Sequence, residues 1–135
     1  MKRSAQDGFT LVEVMVAVVV LAIFMIGCFL AVTGALWMNQ SARDHYVAVQ
    51  LANARLERAR NIQYASLAQL VENQVVMDAN STPNPNGQYR RTTTVNANYG
   101  SNLTEFVIQV DIRNRKTSQF DSVNETLATV LPRKP

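Results

Sequence analysis

The sequence predicts an α+β fold in which one long N-terminal helix, transmembrane in its first half, packs on a small antiparallel sheet of about three strands. Three observations support this prediction. No charged residue occurs from Val14 to Met38. No proline occurs between Phe9 and Thr82, so nothing interrupts a helix that continues past the apolar run. The C-terminal half alternates β-prone segments with clusters of loop-forming residues.

The composition argues against several functional classes. The chain has 135 residues, which suits one small domain, and 13 Lys and Arg against 10 Asp and Glu give it a net charge of +3. With a single cysteine, Cys28, the chain can form neither an intrachain disulfide nor a Cys-rich metal site. Its single histidine, His45, makes a catalytic dyad that depends on histidine improbable by composition. We therefore expect no enzymatic activity and no cofactor or metal. No basic patch indicates a nucleic-acid partner.

The run from Val14 to Met38 is long enough to cross a membrane. At about 1.5 Å per residue it forms a helix of about 37 Å, against a hydrocarbon core of about 30 Å. A cleaved secretory signal has an apolar region of only about 7–15 residues, so we expect this span to stay in the mature protein. Lys2 and Arg3 precede it. The positive-inside bias therefore predicts a cytoplasmic N-terminus, with residues 40–135 on the other side.

A short motif, Gly8-Phe9-Thr10-Leu11-Val12-Glu13, joins the basic leader to the apolar run. A charged leader that ends in glycine is followed by an aromatic residue, a threonine, two aliphatic residues, a glutamate and the apolar run. This order resembles the prepilin-type cleavage and methylation signature of type IV pilins and type II secretion pseudopilins. The resemblance covers residues 1 to about 38 and implies the pilin-like version of the predicted fold.

The resemblance implies a processing and assembly route. A membrane-embedded prepilin peptidase would cut between Gly8 and Phe9, and the new amine of Phe9 would be N-methylated. Glu13 would then meet the N-terminal amine of a neighbouring subunit, because an amine and a carboxylate that are costly to bury apart offset one another when paired. The implied organisation is a leader (1–8), a transmembrane and assembly helix (9–38) and a globular head (39–135).

The same resemblance implies the partners and the location of the chain. The partners are other pilin or pseudopilin subunits, the prepilin peptidase/methyltransferase and the bacterial inner membrane. The head would be periplasmic before the subunit enters a filament. Ile23 to Met25 lack the proline that many major pilins carry there, which favours a minor pilin or a type II secretion pseudopilin; pilus and pseudopilus stay open. The run from Glu13 through the helix to a short sheet looks most like minor pilin V and pseudopilin I. The alternative is a single-pass, membrane-anchored periplasmic binding or sensor module, which predicts no cleavage after Gly8.

Beyond the span, the helix is predicted to continue to about residue 62. One apolar stripe is expected to hold the head, and Val47 and Leu51, on the other side, are expected to be available to other subunits. The alternative is that these two aliphatic residues are ordinary exposed side chains. Three arginines are expected to form a solvated collar: Arg55, Arg58 and Arg60. The stripe comprises Ala42, His45, Tyr46, Val49, Ala52, Leu56 and Ala59.

The head is expected to contain one short helix and three strands. Ser66 and Gln69 match a capping box, which predicts a helix at about 67–73. Residues 78–88 are dense in Asn, Ser, Pro and Gly and predict an exposed loop. Strands are predicted at 89–95, 105–113 and 123–131. Phe106 to Ile112 alternates most clearly, although Val107 breaks the pattern.

Overall fold

The computed structural model describes residues 10–100 and 103–132, without the side chains of residues 98, 121 and 122. The chain forms two compact units, of which the first ends at Gln40 and the second begins at Ser41. The elements in chain order are the helix α1 (Leu11–Asn61), a 3-10 helix (Tyr64–Leu70) and the strands β1 (Glu72–Met77), β2 (Tyr89–Gly100), β3 (Leu103–Arg113) and β4 (Phe120–Pro132).

The helix α1 begins at a side-chain cap and runs without a break. The Thr10 hydroxyl accepts a hydrogen bond from the backbone N–H of Glu13 at 3.3 Å, which satisfies one of the free donors of the first turn. No proline lies within α1, and its observed length of 51 residues agrees with the prediction of one helix over about 9–62. By length and composition, α1 includes one candidate membrane span.

The sheet is an antiparallel meander of four strands in the order β1-β2-β3-β4. The α+β prediction is confirmed, but the expectation of about three strands is too low, because β1 was not foreseen. That strand begins with three polar residues and is irregular between Glu72 and Val75, where Gln74 adopts a φ of 52°. The short helix predicted at 67–73 is present as a 3-10 helix at Tyr64–Leu70, so its bounds were wrong, and Ser66 lies inside it instead of capping it.

The core of the head lies between the second half of α1 and one face of the sheet. Phe106, Ile108 and Val110 are fully buried, as their alternation along β3 predicted, and Val107 is on the other face of the sheet. Small helix residues allow α1 to approach the sheet closely. The remaining core side chains are Ala48, Leu51, Ala52, Leu56, Ala59, Leu67, Leu70, Met77, Tyr89 and Ile112.

The buried face of α1 is rotated from the predicted one. Leu51 is only 3% exposed, so the prediction that it is available to other subunits is wrong, and Val47 is partly buried against the same core. Tyr46, which was expected against the head, is 64% exposed instead. The cause is that this part of α1 has apolar residues on two faces. Arg55, which was predicted in a solvated collar, is buried on the face that meets the sheet.

Candidate functional site

Glu13 lies in the first turn of α1, with its side chain exposed. A carboxylate in a first helical turn is favoured by the unpaired N–H groups of that turn. The backbone N–H of Glu13 also bonds to the Thr10 carbonyl at 3.1 Å. Gly8 and Phe9, the predicted cleavage and methylation residues, lie outside the described residues. Of the three predicted processing and assembly residues, the structure therefore locates Glu13, on a surface open to other molecules.

The helix beyond Glu13 is apolar on every side. Phe24 is 67% exposed and Met38 is 76% exposed, and the other large side chains of this stretch are similarly open. A helix that is apolar all round belongs in a lipid or protein environment, because water disfavours so large an apolar surface. Gly27 and Gly34 have no neighbouring atom within 4 Å of an added Cβ. Their lack of a side chain leaves room for another helix to approach closely.

A buried ion cluster joins α1 to the sheet in the head. Arg55 Nη2 donates to Glu72 Oε1 and to the Leu70 carbonyl, both at 2.9 Å. Arg91 Nε donates to Glu72 Oε2 at 2.7 Å, and its Nη2 donates to Oε1 at 3.1 Å. Burial lowers the pKa of Arg55, and the charge of Glu72 opposes that shift. The cluster ties α1 to the irregular start of β1 and aligns both with β2.

Two neighbouring side chains of α1, Asp44 and His45, also make polar contacts with the strand-containing part of the head. Asp44 accepts hydrogen bonds from Arg115 at 3.0 Å and from the Tyr89 hydroxyl at 3.4 Å. Burial, and then the charge of Asp44, raises the pKa of Tyr89 to about 12. His45 Nδ1 lies 2.7 Å from Glu125 Oε1 in β4. His45 thus contacts the sheet, as its place in the predicted stripe implied.

The head also contains an open cleft of about 680 Å³ between the end of α1 and the end of β4. Its apolar lining includes Ile62, Tyr64, Leu67 and Leu131, and Arg60 lies at its polar side. No cluster of His, Cys, Asp or Glu that could hold a metal ion occurs among residues 10–100 and 103–132. The cleft can accommodate apolar groups. Sequence reasoning missed it because its walls come from segments about 70 residues apart.

Comparison with known families gives one match. The model described as the prokaryotic N-terminal methylation motif matches residues 3–29. The matched range contains Gly8, Phe9, Glu13 and the first part of the apolar run. Neither the comparison with curated proteins nor the comparison with solved structures finds a match.

Proposed function

We propose that this chain is a minor pilin or type II secretion pseudopilin, a non-enzymatic subunit of a membrane-assembled filament, because its residues 3–29 match the prokaryotic N-terminal methylation motif. The methylation motif at residues 3–29 is the observation that supports this proposal most strongly. The exposed apolar surface that follows Glu13 supports it as well, because such a surface needs lipid before assembly and other helices afterwards.

In the proposed route, the chain inserts into the bacterial inner membrane with a cytoplasmic N-terminus and a periplasmic head. The prepilin peptidase removes residues 1–8, and the amine of Phe9 is methylated. An α-amine is charged at pH 7, since its reference pKa is about 7.7–8.0. Within a filament, Glu13 of one subunit neutralises the Phe9 amine of another and thereby sets the register of their helices. The head then contacts the other pilin or pseudopilin subunits.

Intact-mass analysis of membrane-extracted protein tests the processing step. We expect loss of residues 1–8 and the addition of one methyl group. Gly8→Leu should block cleavage, because a peptidase that requires close backbone approach has no room for a bulky side chain, whereas Gly8→Ala should be cut slowly. Retention of Met1 in cells with an active prepilin peptidase would contradict the filament proposal and favour the membrane-anchored binding module.

Replacement of Glu13 tests the assembly step. Glu13→Leu and Glu13→Gln should both be processed, but their incorporation into sheared or co-purified filaments should fall. Removal of one member of a buried ion pair costs about 3–5 kcal/mol, which exceeds a weak subunit contact. Val14→Leu is the control, since it changes the adjacent side chain and keeps the carboxylate. Normal incorporation of both Glu13 variants at a position within the filament shaft would refute the pairing role.

A further inference from the structure

Four segments of the chain match the Asn-x-Ser/Thr pattern that oligosaccharyltransferases recognise, and the proposed filament function uses none of them. So short a pattern arises by chance in a chain rich in asparagine. The place of each segment in the fold therefore has to separate a usable acceptor from a coincidence. The four segments are Asn39-Gln40-Ser41, Asn80-Ser81-Thr82, Asn102-Leu103-Thr104 and Asn124-Glu125-Thr126.

Three of these segments are held by secondary structure. Asn39 lies within α1 and Asn124 within β4, so their backbone groups are engaged by the helix and by the pairing of β4 with β3. Asn102 lies outside the described residues, but Thr104, the hydroxyl residue of its motif, is only 1% exposed and forms a hydrogen bond with the Tyr64 hydroxyl. A transferase would have to open a helix or the sheet to bind any of these three segments.

The segment at Asn80 lies in a surface loop instead. The loop follows β1 and is closed by the pairing of Met77 with Pro83. Asn80, Ser81 and Thr82 are all exposed. Within residues 10–100 and 103–132, the side-chain amide of Asn80 makes no hydrogen bond. The amide that would accept a sugar and the hydroxyl that the motif requires are therefore both open to solvent, which is the context expected of a usable acceptor.

An acidic residue distinguishes this segment from the other three. Bacterial oligosaccharyltransferases favour an acidic residue two positions before the asparagine, because a basic side chain of the enzyme binds it. Asp78 has this position relative to Asn80, and in the part of the chain that the structure describes its carboxylate forms no ion pair. The corresponding residues of the other segments are Trp37, Gly100 and Ser122.

The contacts that hold the loop are local, so an enzyme can exchange them. Asp78 Oδ1 accepts hydrogen bonds from the backbone N–H groups of Asn80 and Thr82, at 2.9 and 3.0 Å. The Asp78 carbonyl accepts another from the Ser81 N–H at 3.2 Å. Ser81 has a φ of 61°, a conformation that disfavours residues with a side chain. Rearrangement of the loop breaks exposed hydrogen bonds, relieves this conformation and leaves the core unchanged.

The loop lies at the end of the head where the chain enters it from the apolar run. Met77, which precedes the loop, pairs with Tyr89 of β2. The Tyr89 hydroxyl donates to Asp44, in the first turn of the compact unit that begins at Ser41. A transferase that takes its sugar from a membrane lipid is itself bound to the membrane, and this end of the head is the one joined to the candidate span.

We propose that Asn80 is the attachment site of an N-linked glycan, which is transferred from a membrane lipid that carries an oligosaccharide on a diphosphate. Asn80 Nδ2 forms a bond to the anomeric carbon of the sugar and gives up one proton. The bond from that carbon to the diphosphate oxygen breaks, and the lipid diphosphate leaves with the electron pair. The proposal rests on the proposed function only for the periplasmic location of the head.

Mass spectrometry of the full chain, extracted from the membranes of the cells that naturally produce it, tests the proposal. We expect the intact mass to exceed that of the polypeptide by one oligosaccharide. Fragmentation of the peptide that contains Asn80 should locate the sugar on this residue. Absence of sugar from Asn80, or sugar on Asn39, Asn102 or Asn124 instead, would overturn the proposal.

Variants produced in the same cells separate the motif from the loop that carries it. Asn80→Gln and Thr82→Ala should each lose the added mass, whereas Thr82→Ser keeps the hydroxyl and should retain it. Asn124→Gln is the matched control, because it changes the same residue type at an exposed site of another motif, and it should retain the sugar. An added mass that survives Asn80→Gln would mean that the modification is on another residue, which overturns the assignment.

Replacement of Asp78 tests the recognition of its charge. Asp78→Asn keeps an oxygen that can accept the loop hydrogen bonds but removes the negative charge, so most of the sugar should be lost. Full glycosylation of this variant would overturn the role of the carboxylate.

The same spectra report the N-terminus of the chain. A chain that has lost residues 1–8 and carries no sugar refutes the glycan proposal and leaves the filament proposal intact. A glycosylated chain that retains Met1 refutes the filament proposal alone.

Discussion

The residues of α1 up to Gln40 and those from Ser41 onwards have similar apolar side chains but different surroundings. In the first stretch the large apolar side chains are exposed on every side, and the nearest charge is Glu13 at its start. In the second, one face is buried against the sheet and the exposed face carries residues such as Arg58. The comparison teaches that the first stretch is built for contacts outside the chain and the second for contacts within it.

Deletion of each stretch in turn is the strongest test of this comparison. Deletion of residues 1–38 should leave a soluble, folded head, because the buried face of α1 begins at Ala48. Deletion through Asn61 should abolish folding, because the sheet then loses Ala48, Leu51, Ala52, Leu56 and Ala59 from its core. Circular dichroism during thermal unfolding checks both fragments. A cooperative transition in the shorter fragment would show that the head does not depend on the helix.

Substitution of two arginines tests the difference between the buried and exposed faces of the second half of α1. Arg55→Met should destabilise the head fragment 39–135 by about 3 kcal/mol, because Glu72 is left buried with one of its two cationic partners. Arg58→Met removes the same charge from an exposed site and should change stability by less than about 0.5 kcal/mol. Urea unfolding measures both values, and similar losses would mean that the cluster contributes no specific stability.

These contrasts explain which parts of the fold were predictable. The alternation of Phe106, Ile108 and Val110 predicts a single buried face of β3, because every second residue of a strand lies on the same face of the sheet. The face of α1 was misjudged because both candidate faces contain aliphatic side chains, and the choice depends on Glu72, which is 17 residues beyond Arg55 and lies in a strand that was not foreseen. Pairing across such a distance has no local signal.

The predicted functional features also divide into those with a local signal in the sequence and those without one. Gly8, Phe9 and Glu13 could be proposed from the sequence because the methylation motif that contains them is one continuous segment, so its signal is local. The cleft between the end of α1 and the end of β4 was not found, because it arises from the meeting of two segments that are distant in sequence. Val47 and Leu51 were assigned to a subunit interface on pattern alone, whereas Leu51 is buried in the core of the head and Val47 is partly buried against it.

Two glycines offer a further comparison, between the apolar stretch of α1 and the head. A Cβ on Gly87 would lie 2.1 Å from the Met77 carbonyl oxygen, so Gly87→Ala should force the backbone apart and destabilise the full chain by about 3 kcal/mol. A Cβ on Gly27 meets nothing within 4 Å, so Gly27→Ala should leave the stability of the head unchanged. Thermal unfolding in detergent measures both. Equal transition temperatures for the two variants would contradict the predicted crowding at Gly87.

The smallest expected effect is a pH dependence that only the head should show. The pKa of Tyr89 is raised from 10.0 to about 12 by burial and by Asp44, so the folded state holds this proton more tightly than the unfolded state does. The resulting stability is fully present below pH 10 and is lost as the pH rises towards 12. Between pH 9 and pH 11.5, the unfolding free energy of the head fragment should fall by roughly 2 kcal/mol through this group.

Tyr89→Phe should remove that part of the loss, while Tyr46→Phe, at an exposed site, should behave like the unmodified fragment. Urea unfolding across this range decides the point, and parallel pH profiles for the Tyr89→Phe variant and the unmodified fragment would mean that Tyr89 does not couple ionisation to folding.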